Sequence, residues 1–285
     1  MTYTVSLAGQ LFDGSPNANG FIWLADGLSG WFDGPTSRAK VTDVPGQHGG
    51  FQPPKVFTSA RSMDFEGVIV CPDDVTAESF VRQWLGDLST MNGFDLVVTD
   101  PAGTLTSRVW VNGKAVAKKL APGAFQFSIP LIAPDPIRYG LTRTVLVNGA
   151  HTTVDGIQYQ IQYGLDYGAM PNDALAGLVT LPNTGTADSY PWFRVSGPVS
   201  AGFTITSDAY TITFTRALAS TETVLFGPAF GGRAVLSDGT DVSSFLTSAQ
   251  WVPVPAGGSR GFLFTPTGSA STGSFFEANS RDGWW

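Results

Sequence analysis

Over most of this chain, apolar residues fall at every second position, in runs too short for helices and bounded by Gly, Pro, Asn-Gly or Asp-Gly. Tyr3, Val5 and Leu7 alternate with Thr4 and Ser6. Phe125, Phe127, Ile129 and Leu131 alternate with Gln126 and Ser128. Tyr210, Ile212 and Phe214 alternate with threonines. A period of two is that of a strand with one face buried, so the chain is expected to be mainly β. The 34 glycines and 19 prolines supply the turns between short strands.

One segment breaks the pattern. From Ala77, apolar residues at Phe80, Val81, Trp84, Leu85 and Leu88 form one stripe of an amphipathic helix. Asp73, Asp74 or Thr76 can cap its start, and Asn92-Gly93 stops it. Strands resume at Leu96. The turn Asp100-Pro101-Ala102-Gly103 follows, and Asn112-Gly113 and Asp238-Gly239 are read as hairpin signals. Residues 27–54 read as Gly- and Pro-rich loop. Pro134, Asp135 and Pro136 end the strand centred on Ile129.

With 285 residues the chain suits two domains. The expected division is 1–140, a connector over 141–180, and 181–285. The connector is expected to hold one half-buried strand or a hairpin arm over Ile157, Tyr159, Ile161 and Tyr163. The last hundred residues place short strands at roughly ten-residue spacing, the mark of a β-sandwich. The stretch Thr267 to Gly273 reads as a flexible polar tether.

Charge and cysteine content exclude several functions. The net charge is −7, which disfavours phosphate neutralisation and hence nucleic-acid binding and adhesion to anionic membranes. Cys71 is the only cysteine, so neither an internal disulfide nor a Cys-rich metal site is expected. The start has no signal-peptide pattern and no segment is long and apolar enough to span a bilayer, so synthesis in a cytoplasm is expected. No cofactor is expected, because no phosphate-binding Gly-Lys-Ser/Thr motif occurs.

Candidate site residues are few. His48, in Pro45-Gly46-Gln47-His48-Gly49-Gly50, and His151 are the two histidines. His48 is expected to be a turn residue or an interface contact, since no Gly-x-Ser-x-Gly elbow lies near it. Asp64 and Glu66 share one strand face and would suit an acid–base pair, but the solvated face of a strand explains them better. Asp238 and Asp241 lack the calcium-loop spacing, and turn chemistry accounts for them. Tyr190, Trp192 and Trp251 would stack on a glycan, against the plainer reading of Trp192 and Trp251 as core. Trp284 and Trp285, two large rings at the end of the tether, would dock on a neighbour or fold back on their own domain.

Four segments, in order, resemble the distal tail (Dit) proteins of long-tailed siphophages, especially minor tail proteins of phages of actinobacteria. They are the loop 45–50 with the strand Arg61-Ser62-Met63-Asp64-Phe65-Glu66-Gly67; the helix around Phe80 to Leu88 and its hairpins; Phe125 to Tyr139; and Asn183-Thr184-Gly185-Thr186-Ala187-Asp188-Ser189-Tyr190-Pro191 with Trp192-Phe193-Arg194-Val195-Ser196-Gly197-Pro198. The resemblance implies an N-terminal β-sandwich or barrel "belt" domain with one helix, and a C-terminal galectin-like β-sandwich. It implies a non-catalytic virion protein of the phage tail tip that forms a hexameric ring. That ring would join the tail tube protein to the tail-tip hub and hold the tape measure and receptor-binding proteins. Rival readings are a carbohydrate- or receptor-binding sandwich and a polysaccharide-cleaving enzyme.

Overall fold

Strand alternation converts directly into burial. In Arg61–Val70 every odd residue from Arg61 to Ile69 is buried and the even ones face outward. The computed structural model describes residues 3–17, 20–39, 41–48, 50–51, 56–89, 92–148, 177–268, 270 and 273–285. The strand expected over Ile157–Tyr163 and the second histidine, His151, lie outside them. The fold is mainly β, with one α-helix among the described residues, and the sheets do not close into a barrel.

The chain divides into two compact units, Met1–Leu141 with Trp284–Trp285, and Thr142–Gly283. The first contains β1 (Thr4–Leu7), β2 (Gln10–Phe12), β3 (Pro16–Asn17), β4 (Gly20–Ser29), β5 (Ser37–Arg38), β6 (Thr42–Asp43), β7 (Gly50–Phe51), β8 (Phe57–Thr58) and β9 (Arg61–Val70). The helix α1 (Asp74–Leu88) comes next. β10 (Phe94–Asp100), β11 (Gly103–Val111), β12 (Val116–Ala121) and β13 (Ala124–Ala133) follow, and β14 (Arg138–Asn148) carries the chain into the second unit.

In the first unit one sheet runs β3-β4-β9-β13-β12, and a second joins β2, β1, β10 and β11. The last two residues of β11 pair with β13 and link the two. Their inner faces share one core with the helix. Phe12, Phe65, Trp84 and Phe127 meet there with ring centroids 4.9–5.5 Å apart. The helix buries Ala77, Phe80, Val81, Trp84 and Leu88, as its stripe predicts, and each large side chain contributes about 1.5–3 kcal/mol. Asp73 is the cap, accepting the Thr76 N–H at 2.8 Å. The helix ends at Leu88 on Ser89, short of Asn92-Gly93.

Asn112-Gly113 does not make the expected hairpin. β11 and β12 both pair with β13, Val111 opposite Leu131 and Val116 opposite Ser128, so the segment only shifts the chain along the same partner. The Asn112 N–H donates to Pro130 O at 2.8 Å, which keeps it on that ladder. The true hairpin joins β12 and β13 through Pro122-Gly123, where Gly123 has φ +72°. That is the Pro-Gly signature of a type II turn. A Cβ on Gly123 would lie 2.6 Å from Cys71 O, whose own N–H donates to Gly123 O.

The second unit comprises the end of β14 with β15 (Leu178–Asn183), β16 (Trp192–Ser196), β17 (Phe203–Ser207), β18 (Tyr210–Phe214), β19 (Thr223–Phe226), β20 (Ala234–Leu236), β21 (Leu246–Ala249), β22 (Gly258–Pro266) and β23 (Phe275–Trp284). One sheet has the order β15-β22-β17-β18-β21 and the other holds β20-β19-β16-β23. Phe193, Phe226 and Phe276 from one sheet meet Phe262, Phe203 and Phe264 from the other at 5.0–5.6 Å. This is a β-sandwich with an aromatic core. Asp238-Gly239 does reverse the chain, with the Leu236 N–H donating to Thr240 O at 2.9 Å.

Candidate functional site

The segment read as loop from Gly27 to Pro54 holds short strands among its described residues. β4 continues to Ser29, and β5–β8 then build a ribbon. Ser37 and Arg38 pair with Thr58 and Phe57, and Thr42 and Asp43 pair with Phe51 and Gly50. Among the described residues neither pair joins a larger sheet. Strands of two residues separated by Gly and Pro leave too little alternation for a periodic signal to register. On this arm Val41 is 58% exposed, Phe51 60% and Val56 49%. His48 is exposed in its tip. A two-stranded ribbon is marginal in water, and its apolar side chains gain nothing there.

The root of the arm is fixed more firmly. Gly30 has φ +75°, and a Cβ on it would lie 2.4 Å from Ser62 O. Trp31 is buried in the core, and Phe32 meets the edge of the Tyr3 ring at 5.9 Å. Arg61, only 3% exposed, donates from Nη1 to the carbonyls of Gly30 at 3.1 Å, Trp31 at 3.4 Å and Asp33, and from Nε to Pro136 O at 3.1 Å. Arg138 donates to Trp31 O at 2.7 Å and to Trp285 O, and its guanidinium lies 5.6 Å over the Trp31 ring. Burial pushes both guanidinium pKa values down; the positive charge of Arg61 lowers that of Arg138 further.

A second open feature is the edge of the β3-β4-β9-β13-β12 sheet. Among the described residues β12 pairs with β13 alone, so its other side is an unpaired strand edge there. Val116 is 44% and Leu120 52% exposed. Three of the chain's five lysines, Lys114, Lys118 and Lys119, stand on or beside this strand. Lys119 bridges to Asp74 at 2.9 Å and Glu78 at 3.0 Å on the helix, while Lys114 and Lys118 make no ion pair among the described residues.

The carboxylates weighed for catalysis are not gathered into a cleft. Asp64 is exposed on the outer face of β9, and Glu66 beside it accepts the Ser128 hydroxyl at 2.9 Å from the neighbouring strand. Asp238 and Asp241 accept the N–H groups of Thr240 and Ser243, each at 2.9 Å; the Thr240 N–H holds the Asp238 carboxyl below its usual range, and the Ser243 hydroxyl, then its N–H, does the same for Asp241. Cys71 is buried, and loss of solvent, then the Asp73 charge, pushes its thiol up. Among the described residues no group of three or more His, Cys, Asp or Glu would hold a metal. A cleft of about 720 Å³ beside the helix end is lined by Leu85, Leu88, Trp110, Val111 and Lys114 and offers no carboxylate.

The three aromatic candidates do not present one platform. Trp192 is half-buried with the Arg281 guanidinium 5.5 Å over its ring, Trp251 packs on the core near Phe226, and Tyr190 is 50% exposed. Trp284 closes β23 and Trp285 follows it, so the pair ends a ten-residue strand rather than a loose tether. Both group with the first unit, and Trp285 is 40% exposed.

No protein-family model matches the chain, and no curated protein does. Solved structures do. The Dit protein (gp 19.1) of phage SPP1 superposes with a TM-score of 0.66 at 13% identity, over 100% of both chains. The fold is that of a phage distal tail protein. The SPP1 protein is described as a paradigm of the hub adsorption apparatus in phages that infect Gram-positive bacteria. A chain of the phage P2 baseplate, in its activated conformation with calcium, superposes with a TM-score of 0.58 at 9% identity, over 98% of each chain. In the strontium form of that baseplate the values are 0.53 and 10%, over 93% of this chain and 98% of the other.

Proposed function

We propose that this chain is a structural virion protein of a long-tailed phage. It closes into a ring at the distal end of the tail, six-fold by the resemblance above, and joins the tail tube to the tail-tip hub without catalysing a reaction. The observation that carries this reading is the match to the SPP1 Dit protein, which spans both units of this chain from end to end. Fold alone does not fix function. The first unit adds the chemistry: an apolar arm on one element and an unpaired strand edge on another. A ring needs two different surfaces on each subunit, because its interface is heterologous and closes by rotation.

The test is the assembly state of the full chain. Light scattering after size exclusion should give a discrete oligomer, negative-stain microscopy a ring, and antibody labelling of virions a signal at the tail tip. A protein that stays monomeric at high micromolar concentration and labels no part of the tail would sink the reading.

A further inference from the structure

We propose that the second half of β12 refuses strand pairing with a second copy of this chain, so that backbone contact at this edge stays short and does not propagate into an open-ended sheet. The inference goes beyond the ring reading and does not need it, because the refusal is a property of the single chain.

An uncovered strand edge pairs with any chain that offers matching backbone groups. Soluble proteins blunt such edges by shortness, proline, bulges, lysines or charges turned inward. Among the described residues, the sheet-ending strands β2, β3, β20 and β21 hold two to four residues each. β15 holds six and includes Pro182. β12 also holds six, and none of them is proline. Its protection must therefore come from register and side chains.

Both are present. Val116, Ala117, Lys118 and Lys119 stand opposite Ser128, Phe127, Gln126 and Phe125 in regular antiparallel order, but Ala121 stands opposite Ala124. Leu120 is thus one residue too many: a regular ladder from the Pro122-Gly123 turn would put it opposite Phe125. A bulge leaves its extra residue unpaired, bends the strand and increases its twist, which turns the outer backbone groups off the line that a partner strand needs. Lys119 adds a charge on the inward side. It shares a face with Ala117, and both it and Ala117 stand opposite side chains of the core, Phe125 and Phe127. Its ammonium lies 6.0 Å over the Phe125 ring and is held by Asp74 at 2.9 Å and Glu78 at 3.0 Å. Lys118 points to the other face and is exposed. A second β12 laid antiparallel and centred on these residues would set lysines against lysines, and like charges opposed across strands are destabilising. Only Val116 to Lys118 remain in regular register with an open side.

The experiment uses the full chain with Leu120 deleted and Lys119→Thr. The deletion restores a regular ladder and leaves both the Pro122-Gly123 turn and the Phe125 pairing in place; the threonine removes the inward charge. Lys119→Thr alone, at unchanged chain length, carries the test should the double variant fail to fold. Leu120→Ala keeps the bulge and controls for loss of the leucine side chain. Far-UV circular dichroism and thermal unfolding report the fold, sedimentation velocity the size, and thioflavin T fluorescence the stacking of strands. The expected result is a folded double variant that passes into thioflavin-positive species larger than any wild-type oligomer, with Lys119→Thr doing so more slowly and Leu120→Ala not at all. A folded double variant with the sizes and fluorescence of the wild type overturns the guard, as does a Leu120→Ala variant that aggregates to the same extent. Should only Lys119→Thr fold, wild-type behaviour in it overturns the guard equally. A monomeric wild type sinks the ring and leaves this comparison standing; a wild-type ring matched by an identical variant ring loses the guard alone.

Discussion

Asp282 accepts the main-chain N–H of Thr184 at 2.8 Å and the hydroxyl of the same residue at 2.7 Å. Arg143 pairs with this carboxylate at 2.6 Å. The neighbouring Asn183, 1% exposed, uses its whole amide: it donates to Ala187 O at 2.8 Å and Val254 O at 3.2 Å, and accepts from the N–H groups of Gly185 at 3.0 Å and Gly283 at 3.1 Å. Gly185 is bare because a Cβ there would lie 1.9 Å from Gly283 O. The Asn-Thr-Gly segment that opens the sandwich is thus a structural staple, and its polar residues are satisfied inside the fold.

Asn183→Ala should destabilise the second unit by about 3 kcal/mol or more, because it takes the Asn183 partner from the Ala187 carbonyl and from the N–H groups of Gly185 and Gly283 at once, and leaves Val254 O with the Ser189 N–H alone. Urea unfolding of the full chain should show one transition moved to lower denaturant and the other unmoved. Equal midpoints for variant and wild type would refute the staple.

Phe127→Ala should cost about 3–5 kcal/mol in the first unit. Phe127 touches Phe12, Phe65 and Trp84 at 5.1–5.5 Å, so its removal opens a cavity that three rings in different elements cannot fill together. The readout is the same urea experiment, with the other transition now shifting.

The contact between Lys119 and the helix start should be sensitive to pH. The hydrogen bond from Lys119, then the one from the Gly123 N–H at 2.6 Å, holds the Asp74 carboxyl below its usual range. A depressed carboxyl contributes stability that is present above its unfolded pKa and lost as pH falls through the folded one. The Lys119 ammonium is raised, first by Asp74 and then by Glu78, so its share is complete below the ordinary lysine pKa and lost as pH rises through the folded value. Wild type should therefore melt above Asp74→Asn at neutral pH, and the gap should close in acid, below the carboxylate range. A gap that stays constant down to that range would show that the carboxylate's charge plays no part. Both side chains are largely exposed, so salt should shrink the gap as well.

The sequence displays what periodicity can encode. The helical stripe from Ala77 to Leu88 and the alternation in β1, β9, β13 and β18 all emerge as buried faces, because each run is long enough to repeat its period. Local turn chemistry is less binding. Asn112-Gly113 has the stronger hairpin signature, yet the hairpin forms at Pro122-Gly123, where β12 finds β13 next to it in the chain. The arm was illegible because its strands hold two residues each. Arg61 was legible only as the first residue of a strand pattern. Its burial among carbonyls depends on Gly30 to Asp33 and Pro136, which sequence spacing does not bring together.

The unpaired edge of β12 yields the last prediction. Val116 and Leu120 are half exposed on a strand whose outer backbone groups have no partner strand, so a subunit joining there would cover them. Val116→Asp/Leu120→Asp removes no buried contact of the single chain, and exposed substitutions of this kind change stability by about 0.5 kcal/mol or less each. Two carboxylates at the centre of a subunit contact would instead be stripped of water without a matching charge, at a cost of several kcal/mol per ion. The double variant should melt within a few degrees of wild type and fail to form the oligomer under light scattering. Combining it with Lys118→Asp should leave the monomer folded and make its failure to assemble insensitive to concentration. If the double variant assembles normally, the edge faces solvent in the ring, and the arm alone must make both halves of the heterologous contact.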